Sequence, residues 1–496
     1  MYLINPQLHS RRAFLRRSAQ LAFTGVALPT ALNLASIGEA AAYNAADGSY
    51  KALVCVFMYG GNDYGNTLIP YDDTNYNKYN LIRGGAAGQT AGGIALGKSD
   101  LAATLLSPAS ALADGRQYAF HPSMTGLKNL FNGGQAAVQL NVGPLVVPIT
   151  KQQYEGNNRT TYPLPPKLFS HNDQQSIWQS SSPEGSTIGF GGKMGDLAGS
   201  LNSNSLFTCI SITGNAVFLA GNSALAYQVS SGGAVKINSL ANDVYGSSAV
   251  KAAMGQLTQQ TRAHVLENEY NNVTRRAVGA EGSISSAIGS NASADARAEF
   301  APFVDITNNP LASQMKMVAR LIAARANLGT KRQVFFVSIG GFDLHDNLVA
   351  NHVTNMKRVS DAMSAFYQTT ANLGVANDVT AFTASDFGRT LTSNGDGSDH
   401  GWGNHHWVVG GAVNGKSYYG TPPPVSVSNT SAPDDQWHVG QGRLLPSTSV
   451  DQYAATLAKW FGVSELEMPG VLPNIRRFGV EGGRPDYPID LGFMRA

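Results

Sequence analysis

The sequence predicts an α/β fold in which helices flank a mostly parallel central sheet. Three short apolar runs, at residues 51–59, 332–339 and 378–383, have the composition of strands that are buried on both faces. Two neighbouring segments, 311–328 and 347–373, repeat apolar residues at the three- and four-residue spacing of a helix. Alternation of strands with helices favours parallel pairing, which gathers functional residues beyond the carboxyl ends of the strands.

Each predicted strand ends in a turn that carries a carboxylate. The first run, KALVCVFMY, stops at GGND; the second, RQVFFVSI, stops at GGFDLH; the third, DVTAFT, stops at ASDFGR. Glycine and polar residues that follow β-branched and aromatic residues are typical of strand ends. The carboxyl edge of the sheet is therefore expected to present Asp63, Asp343 and Asp386.

The helices are predicted from their apolar spacing and from the residues that stop them. The helix at 311–328 ends before Gly329 and the helix at 347–373 ends before Gly374, as expected of C-terminal glycines. A third helix is predicted at 450–461. These helices supply the crossover connections that parallel strands require.

Residues 200–300 have a different pattern. Up to residue 245 the sequence indicates short strands and turns, with 216–220 as one strand, and residues 247–300 indicate helices interrupted by GSISSAIGSNASADARAEF. We interpret this region as an insertion in, or a cap on, one domain that spans residues 43–496.

Residues 1–42 predict an export signal. The arginine pair in SRRAFL precedes a moderately apolar stretch at 19–37, and the small residues of GEAAA offer a cleavage site. This resembles a twin-arginine signal. The alternative is a basic amphipathic helix or a membrane anchor, although Pro29 and Asn33 weaken the stretch for spanning a bilayer. We therefore predict a periplasmic or secreted protein that meets the twin-arginine translocase during export and has no transmembrane segment once mature.

Composition argues against two kinds of site. The formal net charge of +2 comes from 35 basic and 33 acidic residues, so no excess of cations is available for a nucleic-acid backbone. Cys55 and Cys209 lie in apolar runs, where they are either small buried hydrophobic residues or, after export, the two halves of one disulfide. Neither has a second cysteine nearby, which excludes a zinc cluster of thiolates.

The segment SDHGWGNHHW, at residues 398–407, concentrates one carboxylate and three imidazoles. Together with Asp343 and His345 it supplies the oxygen and nitrogen atoms that divalent metals require. Side chains two residues apart in an extended chain point the same way, so Asp343 and His345 can address one centre. We expect one or more divalent metal ions, with zinc, calcium, magnesium and manganese all open. The ligands expected from these segments are Asp343, His345, Asp399 and His400, with His405 placed ahead of His406 as a further one.

The same residues also have ordinary structural explanations. A histidine beside Trp402 or Trp407 is often a packed, hydrogen-bonded side chain, and an aspartate at a strand end is a common helix cap. The metal hypothesis therefore depends on the whole set and on its position at the strand ends.

Six sequence blocks in order resemble the DUF1501 family of exported bacterial proteins. They are FMYGGNDYGNTLIPYDD, FHPSMTGLKNL, LFSHNDQQSIWQ, SIGGFDLHDN, TASDFGRTLTSNGDGSDHGWGNHHWVVGGAVNGKSYYG and GRLLPSTSVDQYAATLAKWFGV. The resemblance covers essentially the whole mature chain. It implies an alkaline-phosphatase-like fold, the class that includes phosphatases, sulfatases and phosphomutases.

The resemblance also implies a role for individual residues. In such enzymes an aspartate after the first strand binds a metal that activates a hydroxyl or modified-cysteine nucleophile, and later aspartates and histidines complete one or two metal centres. By position, the implied ligands are Asp63, Asp343, His345, Asp386, Asp399 and His400.

Ser170 and Arg389 are the candidate catalytic residues. The Ser170 hydroxyl, flanked by His171 and Asp173, is a candidate nucleophile that a metal would deprotonate; the alternative is an ordinary helix cap. Arg389 is a candidate bidentate fork for a phosphate or sulfate; the alternative is a salt bridge, for example to Asp386.

The sequence departs from the superfamily pattern at three points. One residue alone separates Asp343 from His345, Asp386 is followed by Phe387 where many members have histidine, and neither cysteine lies in the Cys/Ser-x-Pro-x-Arg context of a sulfatase. His400 is expected to supply the missing imidazole, and a standard sulfatase is disfavoured.

Two functional hypotheses follow. The first is an exported metal-dependent hydrolase of phosphate or sulfate esters, or of a related anionic group, whose metal lowers the pKa of Ser170 or of water. Its substrate would be an anionic small molecule or a polysaccharide. The second is a non-catalytic exported protein of the same fold that acts in binding or assembly, in which the acidic residues and imidazoles bind a structural metal or simply pack.

Overall fold

A mixed but largely parallel sheet forms the centre of the computed structural model, which describes residues 49–85, 93–290, 293 and 295–495. In the main sheet the strands lie in the order β11-β4-β10-β9-β1-β8-β5-β6-β7, with β12 beside β4, and β2 pairs with β3 in a separate sheet. The strands are β1 (Lys51–Met58), β2 (Leu68–Pro70), β3 (Tyr118–Phe120), β4 (Ala136–Gly143), β5 (Cys209–Ser211), β6 (Tyr227–Ser230), β7 (Gly233–Ala234), β8 (Arg332–Ile339), β9 (Val379–Ser385), β10 (Asn404–Gly410), β11 (Tyr418–Tyr419) and β12 (Thr448–Ser449).

Parallel pairing dominates the middle of the sheet. Strand β1 is parallel to both β8 and β9, and β5 continues the parallel series between β8 and β6. Strand β10 runs antiparallel to its neighbours β9 and β4. The predicted α/β class with a largely parallel sheet is therefore confirmed.

Helices cover both faces of this sheet. Those of eight or more described residues are α1 (Asp73–Ile82), α2 (Thr125–Asn132), α3 (His171–Ser180), α4 (Phe190–Ala198), α5 (Ser248–Gln259), α6 (Val265–Ile288), α7 (Pro310–Ala323), α8 (Leu348–Asn372) and α9 (Val450–Phe461). Shorter α-helical turns are Lys98–Leu101, Lys151–Glu155, Asn238–Ala241 and Met468–Val471.

Single 3-10 turns join several of these elements. They are Tyr64–Asn66, Ala102–Thr104, Gly199–Leu201, Ser205–Phe207, Val217–Leu219, Ala298–Phe303, Ala376–Asp378, Pro433–Trp437 and Ile475–Arg477.

Strand β1 separates two hydrophobic cores because successive side chains point to opposite faces. Its even-numbered residues pack with α2, α7 and α8, and its odd-numbered residues pack with α4 and α9. Burial on both faces explains why β1 is an unbroken apolar run rather than an alternating one. Cys55 in β1 and Cys209 in β5 are buried free thiols, so they pack as small hydrophobic residues.

The predicted elements near the site agree with the structure except at two places. The runs at 51–59, 332–339 and 378–383 correspond to β1, β8 and β9, and the three predicted helices correspond to α7, α8 and α9. Helix α7 ends at Ala323 rather than at residue 328, because the chain tightens into turns before Gly329, whose φ is +65°. Segment 216–220 was expected to be a strand, which is wrong: it contains a 3-10 turn, Val217–Leu219.

The region 200–300 is partly built into the sheet. Strands β5, β6 and β7 extend it beyond β8, while α5 and α6 pack on each other. Helix α6 continues into the Gly/Ser/Ala-rich stretch and ends at Ile288, before Gly289 at φ +65°. Within the described part of the chain, every helix is too short or too polar to cross a bilayer. The predicted export signal at 1–42 lies outside the described residues.

Candidate metal centre

Three strand ends meet at one edge of the sheet. Met58 of β1 is in register with Ile339 of β8 on one side and with Ser385 of β9 on the other, so the three following loops leave the sheet at one level. The first two loops approach closely: a Cβ on Gly60, whose φ is +114°, would lie 2.4 Å from the backbone nitrogen of Asp343. Glycine is therefore required at position 60, and this approach fixes Asp343 at the edge.

One carboxylate and three imidazoles converge above this edge. The Nε2 atom of His400 lies 3.1 Å from Nε2 of His171 and 3.0 Å from Nε2 of His345. Asp343 Oδ1 lies 3.2 Å from His400 Nε2 and 3.1 Å from His345 Nε2. Asp343 Oδ2 lies 3.4 Å from His171 Nε2. His171, Asp343 and His400 form the compact group, with their ligand atoms all within 4.8 Å of one another, and His345 borders two of them.

Three distant segments deliver these side chains. His171 is the first residue of α3, while Asp343 and His345 follow β8. His400 lies between β9 and β10, where its backbone pairs with that of Arg389. The cluster therefore depends on the tertiary fold and not on any one local motif.

Two of the imidazoles are held by buried or half-buried carboxylates. Nδ1 of His171 lies 2.7 Å from Asp386 Oδ2, and Nδ1 of His345 lies 3.2 Å from Asp399 Oδ1. An ionised carboxylate only accepts, so in each neutral ring Nδ1 carries the hydrogen and Nε2 carries the lone pair. Asp386 and Asp399, which were expected to be ligands, therefore lie behind the histidines and orient them.

His400 is oriented in the same way by the backbone. Its Nδ1 lies 2.8 Å from the carbonyl oxygen of Phe169, which also only accepts, so the Nε2 of His400 carries a lone pair. All three Nε2 lone pairs thus belong to the nitrogens that converge on Asp343.

Such an arrangement of acceptors is unfavourable without a cation or a shared proton between them. Ligand atoms around a tetrahedral zinc ion, with bonds of about 2.0–2.1 Å, lie roughly 3.3 Å apart. The donor atoms of this cluster lie 3.0–3.4 Å apart in five of the six pairs of side chains. The compact group of His171, Asp343 and His400 could therefore hold one divalent metal ion, and His345 lies beside two of these three residues.

Phe387 supports two of the rings. Its ring centroid lies 4.8 Å from that of His171 and 4.7 Å from that of His400, with interplanar angles of 39° and 36°. Phe387, the residue after Asp386, is fully buried, and it serves as a packing surface for imidazoles that come from elsewhere in the chain.

Arg389 is buried and holds Asp343 in place. Its Nη1 donates to Asp343 Oδ1 at 2.8 Å and to the Gly60 carbonyl at 3.1 Å, and its Nε donates to Ser398 Oγ at 3.1 Å. Its Nη2 donates to the Ser398 carbonyl. The salt bridge considered for Arg389 is thus formed with Asp343 and not with Asp386, and all three guanidinium nitrogens are engaged.

The electrostatics of the cluster follow from these contacts. The hydrogen bond to Asp386 raises the pKa of His171, whereas burial lowers the pKa of His400. Burial acts to raise the pKa of Asp343, but the hydrogen bond and charge of Arg389 outweigh it and hold the pKa below its ordinary value. Asp343 therefore stays a carboxylate at neutral pH.

Asp63 forms a buried ion pair. Its carboxylate oxygens accept from Arg83 at 2.7 Å and 2.9 Å, and both side chains are fully buried. Burial acts to raise the pKa of Asp63, yet the charge and hydrogen bonds of Arg83 lower it. Both oxygens of the Asp63 carboxylate, which was expected to be the first metal ligand, are therefore bound by the Arg83 guanidinium.

His405 and His406 lie inside strand β10, apart from the cluster. Nδ1 of His405 accepts from the Asn141 backbone N–H at 3.1 Å, and Nδ1 of His406 lies 3.2 Å from Thr383 Oγ1. Burial lowers the pKa of His405 and the pKa of His406 to about 3, which keeps both neutral. The structure therefore places His405, an expected ligand, in the packed interior.

Ser170 stands at the N-cap position of α3, as in the alternative interpretation. Its hydroxyl makes no capping bond and instead donates to Asp173 Oδ2 at 3.0 Å. Lys167 Nζ lies 3.6 Å from the same oxygen. The hydroxyl is therefore tied to a neighbouring carboxylate rather than to the imidazole cluster.

Two residues of the centre were missing from the expected set. His171 was considered only as a flank of Ser170, although a histidine at the start of a helix could have been a ligand in its own right. Arg443, in the block GRLLPSTS, donates from Nε to the His400 carbonyl at 2.7 Å and stacks over Phe169 at 5.5 Å. No sequence signal distinguishes this arginine from the others.

A family model described as a protein of unknown function, DUF1501, matches residues 50–462. No curated protein matches the chain. The matched span runs from β1 through α9 and includes the four clustered residues and the groups that orient them. The chain therefore belongs to the DUF1501 family.

Proposed function

We propose that the protein is a metal-dependent hydrolase of phosphate or sulfate esters, or of a related anionic group. The metal ion would be held by His171, Asp343 and His400, with His345 as a fourth ligand. One observation carries the proposal: three Nε2 lone pairs, each fixed by a hydrogen bond at Nδ1, face one carboxylate at ligand spacing.

The ligand set favours zinc among the four metals left open by the sequence. Calcium and magnesium prefer sets made of oxygen atoms, whereas three imidazoles with one carboxylate suit zinc. The 3.0–3.4 Å spacing of the donor atoms also suits a small tetrahedral ion.

When bound, such an ion acts as a Lewis acid on the ester and lowers the pKa of a bound water. Asp386 and Asp399 keep two imidazoles in the metal-binding tautomer, and Arg389 keeps the Asp343 carboxylate ionised and in position. The Ser170 hydroxyl donates to Asp173, so we favour water over Ser170 as the nucleophile.

Arg443 is better suited than Arg389 to bind the anionic group. Its Nε is fixed on the His400 carbonyl, while its two terminal nitrogens have no hydrogen-bond or ion-pair partner among the described residues. A guanidinium that is anchored at one side presents a fork that matches phosphate or sulfate oxygens.

Two further parts of the proposal concern location and relationship. Export through the twin-arginine pathway, to the periplasm or beyond, is proposed from residues 1–42. An alkaline-phosphatase-like arrangement is proposed because Asp343 and His345 follow β8 at the carboxyl edge of a largely parallel sheet.

Metal analysis combined with an ester panel tests this function. Protein purified without chelator is analysed for bound metal and assayed on phosphate and sulfate monoesters and diesters, alongside His171→Ala and Asp343→Ala. The control is His264→Ala, which removes an exposed histidine that is distant in sequence from the clustered residues. We expect near-stoichiometric zinc and turnover in the wild type and the control, and neither in the two cluster variants.

Each other outcome has a definite meaning. Wild-type protein that contains metal but turns over no ester would favour the binding or assembly protein of the second hypothesis. Wild-type protein that takes up no divalent metal, even after dialysis against zinc, would contradict the metal centre itself.

A further inference from the structure

A second polar feature lies away from the clustered histidines. It is an open groove of about 660 Å³ whose lining includes Arg476, Arg477, Arg484, Thr160, Thr161 and Leu164. We call it the arginine groove. None of the residues that line it is acidic.

The three arginines differ from other arginines of the described chain in their pairing. None of their side chains has a hydrogen-bond or ion-pair partner among the described residues, whereas arginines at 83, 276, 297 and 389 each pair with a carboxylate. The three positive charges in the groove repel one another, so an anionic ligand bound between them would lower their electrostatic energy.

The backbone carries these side chains on two turns that lie in contact. Arg476 and Arg477 end the 3-10 turn Ile475–Arg477, and the Arg484 backbone N–H donates to the Gly479 carbonyl at 2.8 Å. The two turns touch so closely that a Cβ on Gly482 would lie 2.4 Å from the backbone carbon of Arg477. The backbone positions of the three arginines are therefore fixed relative to one another, so that a ligand need order only their side chains.

One hydrophobic cluster connects the groove with residues beside the candidate metal centre. Leu164 packs in the same hydrophobic cluster as Phe169 and Trp402. The Phe169 carbonyl accepts a hydrogen bond from His400, and Trp402 follows His400 by two residues. A ligand with repeated anionic groups could therefore extend from one feature toward the other.

The lining favours a carbohydrate over a nucleic acid. Single-stranded nucleic acids are usually bound by aromatic side chains that stack on bases, and the residues that line the groove include no aromatic ring. Threonine hydroxyls beside arginines suit sugar hydroxyls and sulfate, phosphate or carboxylate substituents.

We propose that the arginine groove binds an anionic polysaccharide. This inference rests on the proposed hydrolase function, because it names the class of substrate whose ester group would enter the metal centre. The groove holds the polymer by its charges, and the cluster acts on one substituent.

Fluorescence anisotropy with labelled dextran sulfate at 50 mM salt tests the inference directly. The groove variant is Arg476→Ala/Arg477→Ala/Arg484→Ala. The control variant, Lys236→Ala/Arg276→Ala/Arg297→Ala, removes the same formal charge from exposed side chains outside the groove. We expect the groove variant to bind about tenfold or more weakly, the control to bind nearly as the wild type does, and unsulfated dextran not to bind.

Three results would overturn it. They are equal affinity of the groove variant and the wild type, an equal loss in the control variant, and displacement of dextran sulfate by a DNA oligomer at lower concentration than by unlabelled dextran sulfate. His171→Ala separates this inference from the proposed function: it should lose metal and keep dextran sulfate binding. A groove variant that keeps both metal and dextran sulfate binding would contradict the proposal for the arginine groove and leave the proposed hydrolase function standing.

Discussion

Asp386→Asn tests whether the carboxylate behind His171 contributes to metal affinity. Asp386 is fully buried, and its Oδ2 accepts from His171 Nδ1 and from Gln175 Nε2, both at 2.7 Å. Asparagine keeps the size of the side chain and an accepting oxygen, so the substitution chiefly removes the charge. We expect a weaker metal site, because the neutral amide makes the imidazole a poorer ligand.

The size of the effect follows from burial and geometry. Loss of such a supporting partner typically lowers metal affinity about 10- to 100-fold, or about 1.4–2.7 kcal/mol. Asp386 should lie at the upper end, because its charge is unscreened by solvent. Asp399→Asn is the matched comparison and should lie at the lower end, since Asp399 is 38% exposed and lies 3.2 Å from His345.

Competition titrations of zinc against a chromogenic chelator measure the dissociation constants of the wild type and both variants. Circular dichroism of the metal-free proteins checks that each variant is folded. An unchanged constant for Asp386→Asn, or a larger loss for Asp399→Asn, would refute the idea that the buried carboxylate tunes the site.

Three other changes have expected outcomes. Burial raises the pKa of Asp451 to about 6 from its ordinary value of 3.8, so the folded state holds a proton there that the unfolded state releases between these two pH values. Asp451→Asn should therefore stabilise the protein at pH 7 by up to about 3 kcal/mol in urea unfolding, and the gain should vanish below pH 4. Gly60→Ala, at a positive φ and against the backbone of Asp343, should cost about 2 kcal/mol or more and should lower zinc content after purification. Arg443→Met should leave zinc content unchanged and should raise the inhibition constant of inorganic phosphate about tenfold or more in an ester assay; an unchanged constant would show that Arg443 does not meet the anion.

The sequence predicts the frame of the site better than its ligands. The runs that became β1, β8 and β9 are apolar throughout because both faces are buried, and that pattern is visible without coordinates. The polar turns after them had to meet at one edge once the strands were parallel. Asp343 and His345 could therefore be placed correctly at that edge from their position alone.

The ligands themselves depend on contacts that no local pattern encodes. An aspartate after a strand can join a cluster of imidazoles, orient a histidine or pair with an arginine. Asp343 lies among the clustered imidazoles, Asp386 orients His171 and Asp63 pairs with Arg83. The role of each aspartate depends on partners that are distant in sequence or lie on other segments, such as Arg83 for Asp63 and His171 for Asp386. His405 is the second residue of β10. The alternation of side chains along the strand, and their burial, therefore decide where His405 points, and its closeness in sequence to His400 does not.

The charge balance of the centre connects the proposed metal ion with the proposed anionic substrate. With neutral imidazoles and no metal, the carboxylates of Asp343, Asp386 and Asp399 outnumber the guanidinium groups of Arg389 and Arg443, so the centre is net negative and repels an anion. A divalent ion reverses this sign, because the supporting carboxylates balance the arginines and only Asp343 offsets the ion. Inorganic phosphate should accordingly bind the zinc-loaded protein and not the metal-free protein in isothermal titration calorimetry, and equal binding to both forms would place the anion site away from the cluster.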